Sequence, residues 1–267
     1  MKKAILVVSF GTSFNDTREK TIDVIENDLR KAFPDREFYR AWTSKIITDK
    51  LKERDGCSID MPEDALKKMR ADGITDVIVQ PTFIIPGLEN DYLTEKVKAH
   101  EDDFDLIVTG APLLNSSEDI NEVANIISDA FSDLEDEALV LMGHGVFNDR
   151  NSIYLDLEKA INDIGKVKAF VGTVEAEPDL GCVLKKAKAS GLKKVMLTPL
   201  LIVSGDHANN DMAGESEASW ASAFRSLLKK TPHSVAIQMK KQARPSSQVW
   251  VSFILKSSLT DFSVNSA

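Results

Sequence analysis

The feature that most constrains this chain is a repeat. Gly73-Ile74-Thr75-Asp76-Val77-Ile78-Val79-Gln80-Pro81 returns as Gly191-Leu192-Lys193-Lys194-Val195-Met196-Leu197-Thr198-Pro199 at an offset of 118 (191 minus 73). The offset carries on to pair Ile84 with Ile202, Gly87 with Gly205 and Glu89 with His207. A second match, at an offset of 134 (145 minus 11), sets Gly11 against Gly145 and Phe10 against His144. In both copies a short apolar run rich in β-branched residues, the mark of a buried strand, ends at a turn containing glycine. Helix-period stretches lie between such runs. Strands alternating with helices call for a mainly parallel sheet covered on both faces, and right-handed crossovers bring the strand-end loops to one edge. The expected fold is α/β, with two similar domains at residues 1–117 and 118–267. Each is a mainly parallel sheet flanked by helices, with a ligand cleft between the two.

In order, strands are predicted at 4–10, 38–42, 76–85 and 106–109, then at 139–142, 169–174 and 195–203. Helices are predicted from near Asp16 to Leu29 before Pro34, at 46–54, from Met61-Pro62-Glu63-Asp64 to Gly73, at 90–99, 115–134, 152–164 and 180–189. Proline at the head of the third costs little, because its missing N–H would be unpaired there anyway. Past residue 228 the pattern weakens. The run at 249–255 is apolar but shows no period that chooses between strand and helix.

Chemistry is offered where strands stop. Leu139-Val140-Leu141-Met142 runs into Gly143-His144-Gly145, and Leu200-Leu201-Ile202-Val203-Ser204 into Gly205-Asp206-His207. A lone histidine after a strand is commonly a hydrogen-bonded turn residue. Two at equivalent strand ends, each close to glycine, point to function, because ligands of open α/β sheets bind outside the carboxyl ends of the strands. Neutral imidazole suits cobalt, nickel, iron or zinc, and its pKa of about 6.5 also suits a proton acceptor. Glu175, after the strand ending at Val174, would add a carboxylate to a partial metal shell of His144, His207 and Glu175. With Glu177 and Asp179 it equally reads as an acidic helix start. His100 and His233 read as a solvated helix end and a loop residue. The turn Ser9, Phe10, Gly11, Thr12, Ser13 precedes a helix whose N-terminal N–H groups could hold a carboxylate or phosphate. No GxGxxG, Walker lysine or GxSxG elbow is present.

Charge narrows the partners. With 33 Lys and Arg against 42 Asp and Glu, the net charge of -9 argues against non-specific nucleic-acid binding and against an anionic membrane surface. No apolar run reaches the ~20 residues of a membrane helix. The basic and apolar start Met1–Val8 is broken by Ser9–Ser13 with no small-residue cleavage site, so a cytoplasmic location is expected, with Cys57 and Cys182 reduced. The sequence leaves a homo-oligomer open.

Val7-Val8-Ser9-Phe10-Gly11-Thr12-Ser13, Arg54-Asp55-Gly56, Met142-Gly143-His144-Gly145, Val171-Gly172-Thr173-Val174-Glu175 and Gly205-Asp206-His207-Ala208-Asn209-Asn210-Asp211-Met212-Ala213, followed by Ser219-Trp220, resemble the anaerobic cobaltochelatases of the CbiK type, class II chelatases. The likeness runs from Met1 to about Leu228. It implies ATP-independent insertion of Co²⁺ as substrate metal into the tetrapyrrole sirohydrochlorin, or its reduced relative precorrin-2, with no organic cofactor. By the resemblance His144 and His207 are the essential histidines, Glu175 the metal-site glutamate and Glu89 a carboxylate of the loop after Gly87. Phe10 and Phe83 would pack against the macrocycle, and the Ser9–Ser13 turn would face its carboxylates. Many relatives carry histidine where this chain has Phe83, and residues after about 228 depart from the family. The alternatives are a chelatase for Fe²⁺ or Ni²⁺ and a non-catalytic tetrapyrrole or haem carrier.

Overall fold

The computed structural model describes residues 2–134, 137–147, 149–191, 194–203, 211, 219–229 and 237–239. They fall into two compact units, the chain passing from the first to the second between Asn115 and Ser116. In the first, β1 (Lys3–Ser9), β2 (Glu37–Trp42), β3 (Asp76–Pro81) and β4 (Leu106–Thr109) form a sheet of order β2-β1-β3-β4, every pair parallel. In the second, β5 (Glu137–Gly143), β6 (Lys168–Thr173), β7 (Lys194–Pro199) and β8 (Ile237–Met239) repeat it as β6-β5-β7-β8, again parallel throughout. The register repeats as well: Ser9 pairs with Trp42 as Gly143 pairs with Thr173, and Val8 with Pro81 as Met142 with Pro199. The repeat in the sequence is therefore a repeat of a whole α/β unit.

The helices are α1 (Asn15–Lys20), α2 (Ile22–Ala32), α3 (Lys45–Asp55), α4 (Pro62–Ala71) and α5 (Leu88–Ala99) in the first unit. Those of the second are α6 (Ser117–Ala130), α7 (Ser152–Ile164), α8 (Leu180–Ala189) and α9 (Trp220–Lys229). Strand side chains alternate between two covered faces, as parallel strands require. In the first sheet Ala4, Leu6, Val8, Val77 and Val79 pack with Ala65, Leu66 and Met69 of α4 and Leu93 and Val97 of α5. Ile5 and Val7, pointing the other way, are equally buried. In the second, Ala138, Val140, Met142, Val195 and Leu197 pack with Val183 and Ala187 of α8 and Trp220, Ala221 and Phe224 of α9. Removing a ring such as Phe224 from such a core costs about 3–5 kcal/mol.

Several boundaries differ from the sequence reading. The first helix is two: Thr21 leaves helical dihedrals (φ −129°, ψ −80°), and its hydroxyl donates to Thr17 O at 2.7 Å. A β-branched hydroxyl competing for a carbonyl one turn back weakens a helix at that point. The third and seventh strands stop at Pro81 and Pro199 instead of running on to 85 and 203. Proline has no N–H for the ladder; the next residue makes the last bond, Thr82 N–H to Val8 O and Leu200 N–H to Met142 O, both at 2.8 Å. Helix α5 opens at Leu88, two residues before the predicted start, which places Glu89 in its first turn.

The outer edge of β6 is closed by side chains of α7. Ala169 N–H donates to Asn162 Oδ1 at 3.1 Å, Asn162 Nδ2 to Ala169 O at 2.8 Å, and Val171 N–H to Glu158 Oε2 at 2.8 Å. Glu158 also accepts from Lys186 at 2.7 Å. Thr173 N–H donates to Pro178 O at 2.7 Å. An edge whose N–H groups are already bonded offers little for another strand to pair with.

Candidate functional site

Strand order positions the candidate chemistry. In an order 2-1-3-4 the connections leave β1 and β3, or β5 and β7, toward opposite sides, opening a crevice at the carboxyl ends of those strands. The turn after β5 carries His144, which is exposed at this edge. Its Nδ1 lies 2.9 Å from Gly145 O. A carbonyl only accepts, so Nδ1 carries the proton in the neutral ring and Nε2 is the lone-pair nitrogen, the form that ligates a metal or takes a proton.

The glycines either side of His144 are there for want of room. A Cβ on Gly143 would stand 2.5 Å from Tyr154 Cε1. Gly145 has φ +90°, and a Cβ there would stand 2.6 Å from Thr173 Oγ1 and 2.8 Å from Thr173 Cβ. Tyr154 of α7 is fully buried beneath the turn. Burial pushes its phenol up to about 12, against the pull of the Gly145 and His144 amides.

Glu175, half-buried, leaves the end of β6, and its N–H donates to His144 O at 2.9 Å. Val174 N–H reaches the same carbonyl at 3.1 Å. The two turns that carry His144 and Glu175 are thus bonded through their backbones. Asn151, which sequence reasoning passed over, joins them through its side chain: Val146 N–H donates to Asn151 Oδ1 at 3.0 Å, and Nδ2 donates to Glu177 O and, at 3.4 Å, to Thr173 Oγ1. Nothing in the local sequence Asp149-Arg150-Asn151 signals this. His207 lies outside the described residues, as does His233. Among the described residues no group of three or more His, Cys, Asp and Glu side chains is disposed to hold a metal ion.

The first unit has a corresponding turn. Gly11 has φ +102°, and a Cβ on it would meet the Trp42 ring at 2.5 Å, as one on Gly145 would meet Thr173, the residue in Trp42's register position. Ser9 and Thr12 are buried: Thr82 Oγ1 donates to Ser9 Oγ at 2.8 Å, and Thr12 Oγ1 accepts from Phe14 N–H at 3.2 Å. Their hydroxyls hold the turn together. Ser13 O accepts from Arg54 at 2.8 Å, and Arg54 pairs with Asp55, whose carboxyl it pulls down to about 2. Phe10 is 46% exposed, whereas Phe83 sits at 8% within the core cluster of the first unit. Glu89 is half-buried at the N-terminus of α5, where a carboxylate is favoured by the helix dipole. His100 differs from the solvated residue expected. Its side chain is 16% exposed, and its Nδ1 lies 2.7 Å from Asp103, which also pairs with Arg70. Cys57 and Cys182 are free thiols.

Solved proteins share this architecture. SirB from Bacillus subtilis with Fe³⁺ matches with a TM-score of 0.66 over 99% of this chain and 98% of that one, at 16% identity. The sirohydrochlorin chelatase SirB from Bacillus subtilis subspecies spizizenii in complex with cobalt matches with a TM-score of 0.60 over 96% and 94%, at 17% identity. The fold is therefore that of the chelatases. Sequence is more specific: the model of the cobalt chelatase (CbiK) family matches residues 3–240. The chain is 39% identical over 225 residues to the sirohydrochlorin cobaltochelatase of Salmonella typhimurium, covering 84% of this chain and 85% of that protein. It is 34% identical over 225 residues to sirohydrochlorin cobaltochelatase CbiKC of Nitratidesulfovibrio vulgaris, covering 83% and 79%. The chain belongs to the cobalt chelatase (CbiK) family, as its motifs led one to expect.

Proposed function

We propose that this chain is a metal chelatase that inserts Co²⁺ into sirohydrochlorin, or precorrin-2, without ATP, in anaerobic cobalamin biosynthesis. Family membership over most of the chain supports the reaction. The observation that carries the site is the exposed His144 imidazole at the carboxyl end of β5, its Nδ1 on Gly145 O. Metallation must strip water from Co²⁺, pass the ion to the ring nitrogens and remove two pyrrole N–H protons, so that one dication enters as two protons leave. His144, through Nε2, is one ligand and proton acceptor, and His207 is the second. Glu175, bonded through its backbone to the His144 turn, balances the charge of the dication and passes protons to water. Phe10 presents an exposed ring to the macrocycle, and the Ser9–Ser13 turn and Glu89 act on the substrate side.

The enzyme works in the cytoplasm and needs no organic cofactor, nucleic acid or membrane. Among the described residues no helix is long and apolar enough to cross a membrane. The test is absorption-monitored metallation of sirohydrochlorin with Co²⁺, comparing the wild type with His144→Ala and His207→Ala. Wild type should insert metal well above the protein-free rate and both variants should fall near it. A wild-type rate equal to the protein-free rate would sink the proposal, and rapid insertion by either variant would remove that histidine from it.

A further inference from the structure

We propose that Asn151 is the positioning residue of this site: a buried amide that fixes the turn bearing His144 against the turn bearing Glu175. The inference rests on the function proposed above. Asn151 is 5% exposed, immediately before α7, and its side chain bonds to three residues in two turns. Oδ1 accepts from Val146 N–H, two residues past His144; Nδ2 donates to Glu177 O, two residues past Glu175, and to Thr173 Oγ1 at the end of β6. Thr173 in turn donates to Ala176 O at 2.5 Å. One amide therefore ties the two turns again, two residues along each from their direct link, Glu175 N–H to His144 O. Asp and Leu lack the donor, Ser is too short to span both turns, and Gln is one methylene too long for a buried slot.

Asn151 bonds to backbone and to the buried Thr173 hydroxyl, so its effect on chemistry passes through the separation and orientation of His144 and Glu175. Misplacing catalytic groups by about 1 Å can cost about 100-fold in rate, so N151A should lower the rate of Co²⁺ insertion by about 10- to 100-fold. Affinity for metal-free sirohydrochlorin, which does not depend on that separation, should stay near the wild-type value. A merely structural loss would instead lower that affinity along with the rate.

The clamp has a readout independent of activity. Glu175 N–H bonds to His144 O and not to Asn151, so hydrogen exchange at this amide reports whether the two turns stay together. It should be protected in the wild type and lose protection in N151A. Should N151A fail to fold, N151D answers the same question, since it keeps the acceptor for Val146 N–H and loses the donor to Glu177 O. Unchanged protection at Glu175 in the folded variant, or a wild-type insertion rate in N151A, overturns the proposal. A wild type that inserts no metal while N151A loses the protection counts against the proposed function alone.

Discussion

Replacing Gly145 by alanine should be among the most damaging single-methyl additions in the C-terminal unit, and its cost can be separated into parts. Two terms act at once. At φ +90° an L side chain is strained, at roughly 1–2 kcal/mol. The new Cβ also meets Thr173, which cannot retreat, because it is 1% exposed, registered against Gly143 and bonded to Ala176 O. Overpacking of that kind costs about 1–3 kcal/mol. Each term has its own control. Gly165, the C-cap of α7, has φ +76° with nothing within 4 Å of an added methyl, so Gly165→Ala reports strain alone. Gly143 would meet the buried Tyr154 ring with no positive φ, so Gly143→Ala reports crowding alone. The sum for Gly145→Ala is about 2–5 kcal/mol. For a unit of about 130 residues the unfolding entropy is about 0.27 kcal/mol/K, so a loss of about 3 kcal/mol lowers Tm by about 11 °C. Scanning calorimetry on the three variants would measure this. A Gly145→Ala protein no less stable than Gly165→Ala would refute the argument that Thr173 fills the space beside the His144 turn.

Three further outcomes follow from the packing. Asp76→Ala takes the counter-charge from the Arg36 guanidinium, which is 10% exposed and bonded to the Asp76 carboxylate at 2.8 Å, and leaves it only weaker bonds to neutral carbonyls such as Ala4 O at 3.3 Å; it should cost about 3–5 kcal/mol in urea denaturation, and a loss below about 1 kcal/mol would mean that the carbonyls and water suffice for the arginine. Asp179 caps α8 by accepting from Cys182 N–H at 2.8 Å, so Asp179→Ala should cost about 1 kcal/mol at neutral pH. That bond holds the Asp179 carboxyl below its ordinary 3.8, so the contribution is complete above 3.8 and disappears as pH falls through the lowered value. A gap between the two proteins that persists in acid would argue against a charged cap. The pair Glu158→Ala with Asn162→Ala uncovers the N–H groups of the β6 edge and should give concentration-dependent association in size-exclusion chromatography, whereas a variant that elutes as the wild type does would show that the edge is protected otherwise.

Much of the molecule was legible because local chemistry and tertiary structure agreed. Residues 4–9 and 139–142 are apolar at nearly every position, which only a strand covered on both faces accommodates, and both lie at the centre of their sheets. The paired offsets announced two units of one topology. Where local and tertiary demands diverge, the reading failed. Leu200 to Val203 is as apolar as a strand, yet the ladder with β5 stops at Pro199, which has no N–H to continue it. Helical spacing continued through Thr21, but a hydroxyl reaching back to Thr17 O interrupted it. His100 looked solvated among acids until Asp103 closed on it.

The same division runs through the candidate site. Sequence by itself determined that histidine stands between two glycines at a strand end, that a glutamate follows the adjacent strand, and that the family is one of cobalt chelatases. These depend on neighbours a few residues apart and on motifs. Only the tertiary structure decided that Ser9 and Thr12 spend their hydroxyls on Thr82 and on the turn's own backbone, that Phe83 belongs to the core while Phe10 faces outward, and that Asn151 ties two turns together. Asn151 shows why. Its partners at 146, and at 173 and 177, belong to two turns whose approach is set by the packing of α7 against the second sheet, and a hydrogen bond acts only over the last few ångströms, after that packing has been made.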